Sequence, residues 1–438
     1  MEEYLKVLLE QIRCKKVHPY IREEIQGHME LQMEENRKKG MSQKEAEAAA
    51  IRDMGDPVEV GISLDKVHRP QMDLKAIGIV AVMSVIGIFL HEILVRQLGE
   101  QAIGSDLFAG YTILGFGLML LVYRMDYTVI ARYAKALAIV FLLLCMVFHV
   151  GDVRINGWRA YNAMFSVMTL YVPLYAAVLY KYRGQGYRAV GKALLWMLLP
   201  VLLAYQLPCL SLAVILAGTM MIVLTTAILL GWYQVPKKSV VAALWGSMLG
   251  APLIFLGVAL KYELLEAYQA ARILTFFDSD SPDNYMTNVL RENLTEIHLL
   301  GENGRNLAEN LRNFNNDYIF SYVLSTYGAL AGIIICLVLA LLLVRVFMVS
   351  FGQKNQLGRC MGCGCGAVLL VNFFINIGEN LGVLPLSQTY LPFLSPGGSN
   401  ILVCYILLGI VLSIHRYRNI YPKHVNAKLI TVKFMIEL

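Results

Sequence analysis

Long apolar segments alternate with short polar ones along most of this chain. About ten of the apolar segments have close to the ~20 residues that an α-helix needs to cross the hydrocarbon core of a bilayer. These predicted spans are residues 74–95, 106–123, 129–149, 163–181, 189–205, 209–232, 238–260, 317–346, 361–384 and 397–415. The pattern predicts an all-α, polytopic membrane protein with about ten transmembrane helices.

The first 70 residues show a different pattern, in which apolar positions recur among many charged ones. Ile21, Ile25 and Met29 follow each other at intervals of four residues, which predicts an amphipathic helix. Pro19 suits the first turn of this helix, and Gly40 suits the position just past its end. A small helical domain is therefore predicted ahead of the first span.

A second short helix is predicted in the same domain. Ser42, followed three residues later by Glu45, matches a capping box, in which each side chain bonds the main chain of the other residue. Gly55-Asp56-Pro57 is expected to end this helix, and a further helix is expected before Cys14.

The basic residues between the predicted spans indicate the orientation of the chain. They cluster in alternate connections, at residues 124–135, 181–192, 237–238, 345–359 and 415–423. Because loops rich in Lys and Arg stay on the cytoplasmic side, both termini are predicted to be cytoplasmic. The predicted regions are a cytoplasmic helical domain at 1–70, a membrane domain at 71–420 with a large extracellular loop at 261–316, and a cytoplasmic tail at 421–438.

The predicted extracellular loop is long and acidic. Its Asp and Glu residues outnumber its Lys and Arg residues, and it shows helical periodicity around Leu290 to Leu300. Loops of this length usually carry function.

Composition agrees with a membrane protein, since 57% of the residues are hydrophobic and only 16% are charged. The eight cysteines lie mostly in apolar segments, so no disulfide framework is predicted. Cys360, Cys363 and Cys365 lie close together, but packing or reversible acylation is favoured over zinc binding. Membrane lipids are predicted partners and nucleic acid is not. The charged stretch after Met1 is no signal peptide, so the first span is expected to direct insertion.

The C-terminal third contains a longer, more specific pattern. Asn376-Ile377-Gly378 is followed by Gly382-Val383-Leu384-Pro385 and then by Leu391-Pro392-Phe393-Leu394-Ser395-Pro396-Gly397-Gly398-Ser399. This pattern resembles the signature of the SEDS family, which comprises the FtsW, RodA and SpoVE proteins of bacterial division, elongation and sporulation. The signature reads approximately N-x-G-x-x-x-G-x-L-P and then L-P-F-x-S-x-G-G-S.

Further elements resemble the same family. Asn316-Asp317-Tyr318-Ile319-Phe320 followed by Gly328 is similar to its T-D-F-I-F element, and Arg272-Ile273 is similar to the start of its outer loop. Asp126-Tyr127, and the stretch from Ile155 to Arg159, resemble two elements after the second and third spans. The resemblance covers about residues 74–415.

The N-terminal region lies outside this resemblance and resembles a different known domain. Gly40-Met41-Ser42, Glu45-Ala46 and Met54-Gly55-Asp56-Pro57 resemble the permease-prefix (HAAS-like) domain that precedes several bacterial membrane proteins. Such a domain implies regulation or partner docking.

The chain departs from the SEDS pattern at several acidic positions. The fourth span, from Tyr161 to Tyr171, lacks the acid, lysine and proline that the family usually has. The acid of the fifth turn is missing from the stretch Leu207 to Ser211, and the glutamate that usually follows D-F-I-F is missing from the stretch Leu324 to Tyr327. The resemblance is that of a divergent member.

The resemblance implies peptidoglycan glycosyltransfer, in which lipid II is polymerised at the outer face of the cytoplasmic membrane. A class B penicillin-binding protein is the implied partner, because it would supply the transpeptidase. A carboxylate can act as general base on the attacking sugar hydroxyl, or it can orient a divalent cation at the pyrophosphate. Asp317 matches the position implicated in catalysis, and the topology places it at the outer end of the eighth span.

Each candidate residue also has a simpler interpretation. Asp317 can cap the helix that follows it. Arg272 and Arg159 can bind pyrophosphate through their planar donor groups. Alternatively, Arg272 is a solvated loop arginine or pairs with Asp278, and Arg159 is an anchor at the membrane interface. Asn376 and Glu379 lie within the ninth span, where polar groups face a cavity or a partner helix. Glu379 is a candidate substitute for the missing acids.

Ser399 is the last candidate for substrate contact. It ends the Pro392–Ser399 loop, for which packing is an equal alternative.

Two other function classes stay open. One is a catalytically degenerate, SEDS-like scaffold or regulator of cell-wall synthesis, which the missing acids favour. The other is a lipid flippase or transporter, although no inverted sequence repeat is visible.

Overall fold

The computed structural model describes residues 1–98, 105–150, 154–155, 158–159, 161–206, 210–262, 285–304, 317–385, 387 and 389–424. Within these residues the chain is almost entirely helical.

Four helices form the N-terminal domain. They are α1 Glu2–Glu10, α2 His18–Lys38, α3 Gln43–Asp53 and α4 Pro57–His68. The capping box at the start of α3 is present, since the Ser42 hydroxyl accepts from the Glu45 N–H and the Glu45 carboxylate accepts from the Ser42 N–H. Gly40 has a positive φ of 92° just after α2.

Helix α4 was not predicted from the sequence. Gly55-Asp56-Pro57 was expected only to end the helix before it. The Asp56 side chain accepts from the Val58 N–H and so caps the new helix, while Pro57 occupies its first turn. The same three residues thus end one helix and begin the next.

The membrane domain contains the remaining elements. They are α5 Leu74–Leu98, α6 Ser105–Arg124, α7 Thr128–Arg132, α8 Ala134–Val150, β1 Arg154–Ile155, β2 Trp158–Arg159, α9 Tyr161–Met168, α10 Tyr171–Tyr180, α11 Tyr187–Gln206, α12 Leu210–Leu229, α13 Lys237–Lys261, α14 Tyr285–Thr295, α15 Ile319–Tyr327, α16 Ala329–Phe351, α17 Gln356–Asn380 and α18 Gly398–Arg416.

These helices confirm the predicted all-α membrane fold. Seven helices in the described part of the chain are long and apolar enough to cross a membrane, and the two shorter apolar stretches Ala134–Phe148 and Met164–Tyr180 match the third and fourth predicted spans. Helix α13 has 25 residues and coincides with the seventh predicted span, 238–260. The exception to the helical fold is a short antiparallel hairpin, in which Arg154 pairs with Arg159 and Ile155 with Trp158.

The predicted bounds of the eighth span, 317–346, are wrong. The stretch forms two helices, α15 and α16, that meet at Gly328, where φ is +87°. A Cβ at this position would lie 2.8 Å from the main-chain oxygen of Leu299, so the segment 285–304 approaches the break closely. Asp317 therefore precedes a nine-residue helix, and the long apolar helix begins only at Ala329.

Helices α6 and α18 pack against each other along their length. Two glycines lie very close to the opposite helix. A Cβ on Gly115 of α6 would lie 2.3 Å from the Tyr405 ring, and a Cβ on Gly409 of α18 would lie 2.9 Å from the Met119 main-chain oxygen. Near the other end of α18, a Cβ on Gly398 would lie 2.7 Å from the Tyr111 ring. Small residues at such contacts let two membrane helices approach closely.

Candidate functional site

Asp317 lies directly before α15, and two side chains of α17 hold its main chain. Its carbonyl oxygen accepts hydrogen bonds from the side-chain amides of Asn376 and Asn380, each at 3.1 Å. Both asparagines are fully buried. The asparagines thus fix the position of the Asp317 main chain relative to α17.

Asn380 also binds the first turn of α15. Its side-chain oxygen accepts from the Ser321 N–H at 3.0 Å and from the Ser321 hydroxyl at 2.9 Å. The first N–H groups of a helix lack partners within the helix and need such acceptors. Asn380, although it belongs to another helix, therefore caps the N-terminus of α15.

The simpler interpretation of Asp317 as a helix cap is not realised. The N-cap position of α15 is Tyr318, whose own side chain makes no capping bond. Burial raises the pKa of the Asp317 carboxyl to about 6. Among the described residues, no charged group contributes to this shift. The carboxylate is thus half-buried, and among the described residues it caps no helix.

Glu379 is the second carboxylate of this site. It is fully buried, and it accepts from the Thr389 hydroxyl at 3.0 Å and from the Ser387 hydroxyl. The Thr389 carbonyl in turn accepts from the Asn376 amide at 3.3 Å. Glu379 and Asn376 together hold the segment that follows α17 beside their own helix.

Tyr318 shows that the two carboxylates face a common region. Burial raises the pKa of this buried phenol, and the negative charges of Asp317 and then Glu379 raise it further. The structure therefore brings three of the predicted residues, Asp317, Asn376 and Glu379, into one site.

Arg291 is a residue at this site that the sequence analysis missed. It belongs to α14, and its Nε donates to the Gly382 carbonyl at 3.0 Å. Gly382 has a positive φ of 62°, and a Cβ there would lie 2.6 Å from Cγ of Arg291. The second glycine of the N-x-G-x-x-x-G pattern thus makes room for an arginine of α14. The helical periodicity near Leu290 was the available signal.

The segment 285–304, which contains α14, also contacts the end of α15. The Ala329 N–H donates to the His298 carbonyl at 3.0 Å, and the Asn303 N–H donates to the Ser325 carbonyl at 2.9 Å. The Asn303 amide then donates to Asn293 of α14 at 2.8 Å. These bonds place this segment against the helix that Asp317 precedes.

The Pro392–Ser399 loop is ordered by its own contacts. His91 of α5 bonds the Leu394 carbonyl at 2.9 Å, and the Ser395 hydroxyl accepts from the Leu391 N–H at 2.8 Å. Phe393 has a positive φ of 65°, which is strained for a bulky residue. Ser399 lies half-buried in the first turn of α18. Among the described residues, no hydrogen bond joins Ser399 to Asp317.

The two other predicted arginines are Arg272 and Arg159. Arg272 lies outside the described residues. Arg159 lies on β2 and pairs with Arg154 through the main chain.

Among the described residues no group of three or more His, Cys, Asp or Glu side chains could hold a metal ion. Cys360, Cys363 and Cys365 are buried at 2% exposure or less, which agrees with packing and disagrees with acylation.

Comparison with known proteins identifies related chains. Residues 70–420 match the FtsW/RodA/SpoVE family of cell cycle proteins. A protein named probable peptidoglycan glycosyltransferase FtsW, from Enterococcus hirae, is 25% identical over 77% of this chain and 89% of its own length. The peptidoglycan glycosyltransferase MrdB of Escherichia coli K12 is 29% identical over 54% of this chain and 62% of its own length.

Solved structures agree in fold. A chain from a peptidoglycan synthase complex that coordinates polymerization and crosslinking has a TM-score of 0.65 at 21% identity, covering 79% of this chain and 98% of that one. The rod shape determining protein RodA of Thermus thermophilus has a TM-score of 0.53 at 20% identity, covering 79% and 97%. The protein described here belongs to the FtsW/RodA/SpoVE family.

Proposed function

We propose that this protein is a peptidoglycan glycosyltransferase that polymerises lipid II, with Asp317 as its catalytic carboxylate. The relatives named peptidoglycan glycosyltransferase support the activity. The observation that carries the residue assignment is the Asp317 carboxyl itself. Its main chain is held by Asn376 and Asn380, while its side chain is half-buried and caps no helix.

Asp317 acts as the general base in the proposed reaction. With a pKa of about 6, the carboxylate is ionised at neutral pH and still basic enough to accept a proton. The hydroxyl oxygen of the acceptor sugar forms a bond to the anomeric carbon of the donor, and its proton passes to Asp317. The bond from that carbon to the pyrophosphate breaks, and undecaprenyl pyrophosphate leaves with the electron pair.

The other residues have supporting roles in this proposal. Asn376 positions the Asp317 main chain, and Glu379 holds the Ser387 to Thr389 segment beside it. Arg291, at the edge of the site, and Arg272 and Arg159, on the same predicted outer side, are proposed to bind the pyrophosphate. Ser399 is proposed to contact the substrate from the start of α18.

A divalent cation has no step in this mechanism. The described residues offer two carboxylates near one another, Asp317 and Glu379, but no set of three ligands. The base role of Asp317 needs no metal.

We place both termini in the cytoplasm and the Asp317 site at the outer face of the cytoplasmic membrane. The alternating basic connections support this orientation. A class B penicillin-binding protein is the proposed partner, because this chain shows no transpeptidase motif. The match to a chain from a peptidoglycan synthase complex supports a fold suited to such an assembly.

Polymerisation of lipid II by the purified protein, with and without a candidate class B penicillin-binding protein, tests the proposal. We expect polymer from the wild type and none from Asp317→Ala or Asp317→Asn. Asn372→Ala is the control, since Asn372 is equally buried on α17 but its amide bonds only Val368 of its own helix. Normal polymerisation by Asp317→Asn would refute the role of Asp317.

A scaffold without catalytic activity is the second candidate. It is favoured by the fourth span, where the stretch from Tyr161 to Tyr171 has no acid or lysine. Absence of polymer under every condition, with partner capture unchanged in Asp317→Ala, would select this candidate.

A further inference from the structure

A buried carboxylate lies at the centre of one contact between the N-terminal domain and the membrane domain. Lys16, between α1 and α2, donates to Asp126 at 2.9 Å and to the Tyr417 hydroxyl at 3.3 Å. The Asp126 side chain is only 7% exposed. Its Oδ1 accepts from the Thr128 N–H at 3.0 Å. The Tyr421 hydroxyl donates to Oδ2, the same oxygen that accepts from Lys16. We call Lys16, Asp126, Tyr417 and Tyr421 the clasp.

Aromatic and main-chain contacts extend the clasp into a continuous interface. The Lys16 ammonium lies 4.7 Å from the centre of the Tyr417 ring, and Tyr20 of α2 meets Tyr421 edge-on at 6.1 Å. At the other end of the domain, the Asn419 amide donates to the Val67 carbonyl at 3.1 Å. The Gln71 N–H donates to the Arg416 carbonyl at 3.2 Å. The domain is thus seated on the membrane domain at several separate points.

The clasp joins the adjacent ends of two membrane helices. Asp126 lies two residues after the last residue of α6, and Tyr417 directly follows the last residue of α18. The Ser413 hydroxyl of α18 also donates to the Met125 carbonyl at 2.6 Å, directly beside the clasp. Lys16 therefore binds both helix ends at once.

The same two helices lead to the loop at the opposite end of α18. The close contacts at Gly115, Gly409 and Gly398 make α6 and α18 a tightly packed pair. A helix of the length of α18 spans about 28 Å at 1.5 Å per residue. The Pro392–Ser399 loop runs directly into its far end. A helix pair packed this closely cannot shift at one end without shifting at the other.

We propose that the N-terminal domain is a clamp on the α6–α18 pair. Docking of Lys16 on Asp126 and Tyr417 holds the near ends of both helices together, and this fixes the Pro392–Ser399 loop at the far end. The docking surface formed by Asp126, Tyr417 and Tyr421 has one occupant, the N-terminal domain of the same chain. Release of the domain loosens the loop, so a factor that captures the domain would act on the opposite face of the membrane domain.

Hydrogen exchange of the full-length protein in detergent or nanodiscs tests this proposal without requiring activity. The Gln71 amide, bonded to Arg416, reports docking, and the amides of Leu391, Leu394 and Ser395 report the loop. We expect Lys16→Glu to speed exchange at both sites by about tenfold, the factor for a loss of about 1.4 kcal/mol. Lys16→Arg keeps the charge and should exchange like the wild type.

The control is Lys38→Glu, which makes the same charge change on α2 in an exposed pair with Glu34. It should leave both sites unchanged. Because the Lys16 side chain is 45% exposed, its replacement should not prevent folding. Unchanged exchange at Gln71 in Lys16→Glu would overturn the clasp. Faster exchange at Gln71 with an unchanged loop would overturn the coupling between the two ends of α18.

Discussion

Replacement of Asn380 by alanine should uncouple Asp317 from the helix that positions it. The Asn380 side chain makes bonds to three residues, namely Asp317, Asn376 and Ser321. Two of the partners retain another contact in the variant. The Asp317 carbonyl keeps its bond to Asn376, and the Ser321 hydroxyl keeps its bond to the main-chain oxygen of residue 380. The Ser321 N–H loses its acceptor.

The expected cost follows from that stranded group. A buried donor left without a partner costs about 1–3 kcal/mol, and Ser321 is 1% exposed. The remaining Asn376 bond no longer fixes the Asp317 main chain from two sides. A misplacement of catalytic groups by about 1 Å can reduce a rate by about a hundredfold. We therefore expect Asn380→Ala to lower polymerisation by about ten- to a hundredfold while the protein still folds.

The assay compares Asn380→Ala with Asn372→Ala for lipid II polymerisation and for thermal unfolding in the same detergent. Asn372 is fully buried two turns earlier on α17, but its amide donates only to Val368, and its oxygen has no partner among the described residues. Its replacement removes the same volume without affecting Asp317. Equal losses of activity in the two variants would refute the positioning role of Asn380, as would wild-type activity in Asn380→Ala.

Four further predictions concern three separate features. Burial raises the pKa of the Asp317 carboxyl from about 3.9 to about 6, so the folded state loses stability as pH rises between these values. Asp317→Asn should therefore be more stable than the wild type at pH 8, by about 3 kcal/mol, and within about 0.5 kcal/mol of it at pH 4. Pure base catalysis also predicts that wild-type polymerisation falls below pH 6, and a rate that is constant from pH 5 to 8 would contradict it. Gly328→Ala should destabilise the protein by about 1–2 kcal/mol or more, because φ at this position is +87° and the new Cβ would lie 2.8 Å from the Leu299 oxygen. The variant should also speed proteolysis of the predicted outer loop. Gly246→Ala is the control, since open space surrounds Gly246. Asp73→Ala should cost about 3–5 kcal/mol in thermal unfolding, since it leaves Arg345 without the buried carboxylate that it bonds at 2.9 Å, whereas Glu34→Ala in an exposed pair should cost less than about 1 kcal/mol.

The membrane fold could be predicted from the sequence because its signal is strong and local. An apolar run of the required length specifies a helix whatever its neighbours are, so the bounds of α5, α6 and α18 were predicted to within about three residues. The break at Gly328 could not be read from hydropathy, since apolar residues continue on both sides of it. It depends on the close approach of the segment 285–304, which is a long-range contact.

The candidate site was only partly predictable for the same reason. Asp317 and Asn376 came from a resemblance of short motifs. The roles of Asn380 and Arg291 depend on contacts across 59 to 91 positions of the chain. No local pattern marks Ser321 as the group that Asn380 caps. The capping interpretation of Asp317 was locally reasonable and failed because a side chain from another helix supplies that bond.

The contacts around Asp317 bear on the choice between an active enzyme and a degenerate scaffold. The chain has lost acids of the family pattern, yet the residues that build the site have kept specific partners. Asn376 and Asn380 hold the Asp317 main chain, Gly382 accepts Arg291, and Glu379 is satisfied by two hydroxyls. A half-buried carboxylate that caps nothing costs stability at neutral pH, because burial disfavours its charged form. A scaffold gains nothing from that cost, and Asn would fill the same space without it. The retained, destabilising Asp317 therefore favours an active glycosyltransferase.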